Sequence, residues 1–271
     1  MSTEYKGNSE LHAAGFPDDV PPDEIREGRY LIRFARTPEE VQTALRLRYE
    51  IFNLELNEGL EASHVTGHDE DPFDAGCHHL LVIHEGDPAH PVVGTYRLQT
   101  REMAQRNAGF YSDGEYVLAD MGDTILNDAV EIGRACVAKE HRKQRVLFGL
   151  WKGLAAYITH TRKRYLFGCC SLTSQDPRDA TETSAYLAAN DKLRSDFCVR
   201  ARPDYACVDA DPAPVNVAEV KLPTLFGTYL RFGALACSEP ALDREFKTID
   251  YLVVMDTDGL PAATRQMFFG S

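Results

Sequence analysis

Residues 129–137, AVEIGRACV, are short and apolar enough to form a buried strand, yet Glu131, Gly133 and Arg134 stand in the middle of it. Charge inside a sheet is costly unless it is paired, and glycine weakens a strand. Side chains alternate across a strand, so Glu131 and Arg134, three positions apart, would face opposite sides. A β-bulge at Gly133 would insert one residue, reset the alternation and bring both charges to one side. It would also free a backbone N–H from the ladder, and a free N–H can hold a developing oxyanion. One reading therefore gives this strand a carboxylate base (Glu131), a guanidinium (Arg134) and an oxyanion donor beside Gly133. A buried structural ion pair explains the same residues, and from the strand alone it is the more economical reading.

The segments around this strand predict a mixed sheet. YLIRFAR (30–36) reads as a strand, and Thr37-Pro38-Glu39-Glu40 reads as a helix start, with Thr as N-cap and Pro at the first helical position. HLLVIHE (79–85) and PVVGTYRLQT (91–100) read as two strands joined by a turn, and 57–76 as a polar loop. In 143–163, Leu147, Leu150, Trp151, Leu154 and Ile158 recur at steps of three and four, which makes one apolar helical stripe. A strand at 165–171, helices at 181–194 and 223–232, and a late strand at 251–256 complete the pattern. Strands that follow one another without helices between them imply antiparallel pairing in the middle of the sheet. The expected class is α/β (α+β). No dinucleotide or P-loop glycine pattern is present.

Composition narrows the function classes. The net charge of −13 on 271 residues argues against a nucleic-acid coat and against broad attraction to anionic lipid. Residues 1–28 are polar, acidic and proline-rich, and read as a flexible arm ahead of a single domain over 29–271 with a C-terminal extension. They show no secretory signal, and no apolar run reaches the ~18 residues that span a bilayer. The seven cysteines form no C-x-x-C pair and read as reduced, cytosolic thiols without a role.

Charged residues cluster elsewhere too. Arg48 and Phe52 lie in RLRYEIF, Asp71 and Asp74 just before a strand, and Arg97 inside one. They can form an Asp–Arg network, either purely structural or leaving one carboxylate to face an amine. His64, His68, Asp69, Asp71, Asp74, Cys77, His78 and His79 crowd together, but match no zinc spacing, so a polar loop is expected there and no metal. The window 139–164 sums to +7, with Arg142, Lys143, Arg145 and Lys152 among its cations. On an acidic chain it reads either as a docking site for an acidic partner or as a solvated helix face.

Taken together, LRLRYEIF, DPFDAGCHHLLV, VVGTYRL, FYSDGEYVL, VEIGRACV, YLFGCCS, GTYLRFGA and EPALDREFKTIDYLVV carry a resemblance. From about residue 45 to 256 the chain resembles the GNAT-like N-acyltransferases that include the ornithine N-acyltransferases, some labelled hemolysin-like. It is similar, more distantly, to acyl-homoserine lactone synthases and N-acyl amino acid synthases. The resemblance implies a GNAT-like, largely antiparallel sheet flanked by helices, with a bulged central strand. It places Arg48, Phe52, Asp71, Asp74, Arg97, Glu131 and Arg134 around the reaction site, with Glu131 as general base. CoA-dependent members carry close glycines after the bulged strand that hold pyrophosphate. Here that stretch is EHRKQRVLFG, which fits a donor whose pantetheine arm arrives on an acidic acyl carrier protein.

The implied reaction moves a long-chain, 3-hydroxy or plain, fatty acyl group from an acyl-phosphopantetheine thioester to the amino group of an amino acid. No other cofactor is needed. Arg97 or Arg134 would grip the amino acid's carboxylate, and Phe52, Leu150 and Trp151 could wall an acyl tunnel or be plain core. The RQMFFGS ending departs from the arginine-rich end expected of ornithine enzymes, so the acceptor stays open. An acyl-homoserine-lactone-like signal synthase and a non-catalytic lipid- or carrier-binding module stand as alternatives. A cytoplasmic location follows, with peripheral contact at the inner membrane face left open.

Overall fold

Thr37 turns the chain from strand to helix: its hydroxyl accepts from the Glu40 amide at 3.4 Å, and Pro38 opens the helix. The same alternation of short strands and capped helices builds the rest of the fold. The structure is a computed structural model and describes residues 20–88, 91–142 and 144–270. Its strands are β1 (Ile25–Glu27), β2 (Tyr30–Phe34), β3 (His78–His84), β4 (Val92–Thr100), β5 (Ala129–Val137), β6 (Tyr165–Leu172), β7 (Leu235–Ala236), β8 (Ala241–Asp243) and β9 (Thr248–Asp256). Its α-helices are α1 (Pro38–Arg48), α2 (Ser63–Thr66), α3 (Arg101–Arg106), α4 (Asp123–Asn127), α5 (Gln144–Thr161), α6 (Pro177–Ala189), α7 (Thr224–Phe232) and α8 (Ala262–Phe269).

One sheet runs in the order β1-β2-β3-β4-β5-β6-β9-β7, with β8 also on β9. Strands β1 to β5 pair antiparallel in sequence order. The crossover through α5 then makes the β5–β6 join parallel, and β9 returns antiparallel to β6. The expected antiparallel middle of a mixed sheet is present. The apolar stripe of α5 buries Leu150, Trp151, Leu154 and Ile158 in the main core, each contributing about 1.5–3 kcal/mol. The C-terminal helix α8 closes on the same core, with Phe268 stacked on Trp151 at 5.4 Å between ring centroids. Among the described residues, no helix is long and apolar enough to cross a membrane.

Two expectations need correction. Of the arm expected over 1–28, residues 1–19 lie outside the described residues, but Ile25–Glu27 form β1, so the sheet begins before residue 29. Gly28, at φ +65°, makes the tight turn that folds this strand onto β2. The bulge in β5 exists, but not at Gly133. Gly133 pairs with Arg97 and Cys136 with Thr95, so Arg134 and Ala135 together oppose Tyr96. Arg134 itself takes the left-handed conformation, φ +49°, which costs an L-residue about 1–2 kcal/mol.

Past Glu131, before the bulge is reached, the sheet opens. The parallel ladder between β5 and β6 comprises Ala129↔Tyr165, Val130↔Leu166 and Glu131↔Phe167. Beyond it β6 keeps its pairing with β9, while β5 stays with β4. The apex of the wedge is tight: a Cβ on Gly168 would stand 2.1 Å from the Ile132 carbonyl oxygen. Only glycine lets the two backbones meet there.

Candidate active site

The wedge between β5 and β6 opens into a cavity of about 840 Å³, at the upper end of the range for small-molecule sites. Glu131, Gly133, Arg134, Gln99 and Ser112 line one part of it. Leu147, Leu150 and Trp151 from α5, with Leu225, Phe226 and Tyr229 from the α7 segment, line another. Phe52 also faces the cavity, so the three suspected tunnel residues Phe52, Leu150 and Trp151 are wall residues as well as packing residues. A Cβ at Gly133 would meet nothing within 4 Å, so this glycine keeps the floor of the cavity clear and leaves the bulge to Arg134.

Glu131 is 5% exposed and held by four donors. Its Oε1 accepts from the Ser112 amide at 2.8 Å and the Ser112 hydroxyl at 2.6 Å. Its Oε2 accepts from Gln99 Nε2 at 2.7 Å and the Tyr111 amide at 3.0 Å. Each carboxylate oxygen thus has its lone pairs occupied by protein donors. Of these four donors, only the Ser112 hydroxyl can accept a proton while giving one up.

The bulge places Arg134 on the same side of the sheet as Glu131. Its guanidinium lies 4.5 Å from the Phe52 ring and 4.7 Å from the Phe246 ring, a double cation–π contact. Its Nε and Nη2 donate to Asp69. Asp69 also receives Arg48 Nε at 2.7 Å, and Arg48 Nη1 reaches Asp74 at 2.6 Å. Arg97 Nη1 then bridges Asp74 at 3.0 Å and Asp71 at 2.6 Å. Burial by itself would raise the Asp74 carboxyl, but Arg48 and Arg97 outweigh it and hold it far below the carboxylate range. Asp69 behaves alike: burial opposes, and Arg134 and Arg48 prevail. Of the expected substrate-binding residues, Phe52 and Arg97 border the cavity, whereas Arg48, Asp71 and Asp74 stand behind its wall and orient Arg97 and Arg134.

A second acidic group adjoins the cavity. Asp250, on β9, is 3% exposed and lines the wall beside Cys169, and Glu115 is 2% exposed. Donor-capable atoms of Glu115, Cys169 and Asp250 lie within 4.8 Å of one another. Burial pushes Asp250 up to about 6, with the charge of Asp243 adding to it. Burial likewise raises Glu115, reinforced by Asp250. Glu115 Oε1 and Asp250 Oδ1 have no hydrogen-bond partner among the described residues.

The cations expected to dock a partner are engaged within the chain. Arg142 forms a fork with Glu55 at 2.5 and 2.7 Å, Lys152 pairs with Glu27, and the Arg145 guanidinium lies against Gly28. Lys143 lies outside the described residues. Lys163 and Arg164 of the same window pair with Glu102 and Asp256. Four of the eight cations in the +7 window thus meet acids from elsewhere in the chain. In the His/Asp-rich loop the aspartates meet arginines, His79 Nε2 lies 3.1 Å from the Asp74 carbonyl, and His78 Nδ1 lies 2.9 Å from the Tyr157 hydroxyl. All seven cysteines are free thiols.

Sequence reasoning missed Gln99, Ser112, Glu115 and Asp250, and left Asp69 out of the arginine network. Asp250 carried the same signal as Glu131, an acid within an apolar run, but the strand was expected to start one residue later. Ser112 and Glu115 sit in a 3₁₀ turn and at its end (Tyr111–Gly114), where no periodicity marks them.

Comparison with known proteins follows from this geometry. A family model described as an acetyltransferase (GNAT) domain matches residues 47–152. The chain is 34% identical over 233 residues to an L-ornithine N(alpha)-acyltransferase of Rhizobium meliloti (strain 1021), covering 82% of this chain and 78% of the relative. It is 33% identical to an L-ornithine N(alpha)-acyltransferase of Brucella abortus (strain 2308), covering 85% of each. Its fold is shared with FeeM, an N-acyl amino acid synthase from uncultured soil microbes, at a TM-score of 0.50 and 11% identity, covering 85% of this chain and 92% of that one.

Proposed function

The chain belongs to the family of L-ornithine N(alpha)-acyltransferases and is a GNAT-type N-acyltransferase; from that premise we propose that it acylates the α-amino group of an ornithine-type diamino acid. The donor is a long-chain fatty acyl group, plain or 3-hydroxylated, held as a thioester on acyl carrier protein. The single observation that carries this reading is the parted β5–β6 wedge, whose cavity is polar around Glu131 and apolar along α5 and α7. A cavity of about 840 Å³ has room for a chain well beyond an acetyl group.

The α-amine is mostly protonated near neutrality and must lose a proton to attack. The Ser112 hydroxyl takes that proton as it passes its own to Glu131, 2.6 Å away. The amine nitrogen then bonds to the thioester carbon, and the carbonyl oxygen becomes an oxyanion. A backbone amide on the β6-facing edge of β5, past the last ladder pair at Glu131, stabilises it by about 3–4 kcal/mol. The C–S bond breaks, the leaving thiolate takes the surplus proton of the newly bonded nitrogen, and Glu131 gives its own proton back through Ser112 to solvent, leaving a neutral amide, a thiol and one released proton. Arg134, clamped between Phe52 and Phe246, presents its remaining edge to the acceptor's carboxylate. The sequence after β5 lacks close phosphate-binding glycines, which favours a carrier-bound donor over CoA. At the cavity mouth Arg142, two-fifths exposed, exchanges Glu55 for an acid of the carrier.

Incubation with long-chain 3-hydroxyacyl carrier protein and a panel of amino acids, read by product mass, tests this. The expected product is an N-acyl amino acid, with Glu131→Gln and Ser112→Ala each lowering kcat about 10²–10⁴-fold. Turnover only with acyl-CoA, or unchanged in both variants, refutes the donor or the proton route respectively.

A further inference from the structure

Apart from Glu131, the buried acids on and behind the cavity wall fall into two sets, and of the five only Asp250 lines the cavity itself. Asp69, Asp71 and Asp74 each meet at least one arginine. Glu115 and Asp250 meet none: among the described residues, no arginine, lysine or histidine forms an ion pair with either. Each keeps a buried oxygen without a partner, and both side chains are more than nine-tenths buried. A third acid, Asp243, lies close enough to raise both of their carboxyls further, while its own Oδ1 is capped by the Glu245 and Phe246 amides. Glu115 and Asp250 hydrogen-bond each other and share a proton, so the pair carries one buried charge that no cation of the chain meets.

Their position says which cation. The Glu131 carboxylate contacts Ser112 Oγ at 2.6 Å, Ser112 Oγ contacts Cys169 Sγ at 3.6 Å, and Cys169 Sγ contacts Glu115 Oε2 at 3.9 Å. The acid pair is thus linked to the proton-accepting end through two intervening side chains, Ser112 and Cys169, and Asp250 shares the cavity wall with Glu131 and Ser112. Tyr111 and Phe246 flank the route with aromatic faces, and Thr248 and Ser171 add hydroxyls at the wall. An ammonium has three donors and no acceptor, which suits a pocket of unsatisfied carboxylate oxygens.

Resting on the diamino-acid reading above, we infer that Asp250 and Glu115 receive the distal ammonium of the acceptor and select a cationic amino acid over a neutral one of the same length. Arg134 fixes the carboxylate end, Ser112 the reacting amine, and the acid pair the far end. Three contacts leave one orientation, with the α-amine and not the distal amine at the thioester.

The test compares L-ornithine with L-norvaline, its analogue lacking the distal amine, at saturating acyl carrier protein donor. The wild-type protein is expected to favour ornithine by at least about 100-fold in kcat/KM, since a site built for a polar group strongly rejects the analogue without it. In Asp250→Asn and Glu115→Gln that ratio falls below about 5, mainly through a higher KM for ornithine. Thermal melts confirm that both variants are folded. A wild-type protein that acylates both amino acids equally overturns the inference and leaves the acyltransferase reading standing. So does a ratio unchanged in both variants, or an equal loss of kcat on both substrates, which would assign the pair to proton transfer. Ornithine turnover that requires added Zn²⁺ would assign it to a metal and overturn the inference too. No product from any amino acid takes down the diamino-acid reading, and this inference with it.

Discussion

Replacing Asp250 with asparagine should make the unliganded protein more stable at pH 8, although the residue is buried and polar. In the folded state burial holds the Asp250 carboxyl at about 6, against about 3.9 in an unfolded chain. The protonated carboxyl therefore favours folding fully below about pH 4, and that contribution is lost as pH rises through about 6. A gap of roughly two units corresponds to about 3 kcal/mol at pH 8. At pH 5 about half of it remains. Asparagine carries no charge to desolvate, and its amide can donate to the vacant Glu115 Oε1 beside it. Urea unfolding at pH 5 and pH 8, without amino-acid acceptor, measures the difference. The variant should gain about 2–3 kcal/mol at pH 8 and roughly half that at pH 5. A variant no more stable than wild type at pH 8, or a gain that does not shrink at pH 5, refutes the claim that this acid lacks a counter-charge.

Three further perturbations probe the scaffold. Arg48→Met leaves Asp69 and Asp74 buried without one of their cations and should cost about 3–5 kcal/mol in urea unfolding; a loss under 1 kcal/mol would mean that Arg97 and Arg134 suffice. Because Asp69 and Asp74 are held below the usual carboxylate range, their stabilisation is complete above about pH 4 and lost as pH falls toward their folded values. The wild-type melting temperature should therefore drop below pH 4, and Asp74→Asn should flatten that drop. Gly168→Ala drives a methyl to 2.1 Å from the Ile132 carbonyl and should destabilise by about 2–3 kcal/mol, with a cavity whose acyl-chain preference also changes; a neutral result would show that the wedge apex can spread freely.

What could be read in advance depended on how local the cause was. The stripe of α5 and the cap at Thr37 depend on neighbours within a few residues, and both appeared where expected. The conflict inside AVEIGRACV raised a bulge as one reading and set it at Gly133, one residue before the pair that forms it. Arg134 takes the strained position because partners distant in sequence hold it: Asp69 binds its guanidinium, and Phe52 and Phe246 clamp its faces. The charge sum over 139–164 could not show such long-range pairing either, since Glu27, Glu55, Glu102 and Asp256 arrive from other segments to meet four of those cations. Asp250 was hidden by an error of one strand boundary, and β1 by the acidic, proline-rich sequence leading into it.

The two arms of the sheet are stitched together along three residue pairs and then diverge like the blades of shears. Each blade is rigid, backed by its own neighbouring strands. The gap between them is therefore governed by the angle at the pivot and by whatever props the blades from behind, such as the aromatic block of Trp151, Phe232 and Phe268. Repacking that block, which meets the cavity through Trp151, should therefore shift the acyl length accepted while Glu131, Ser112 and Arg134 stay untouched.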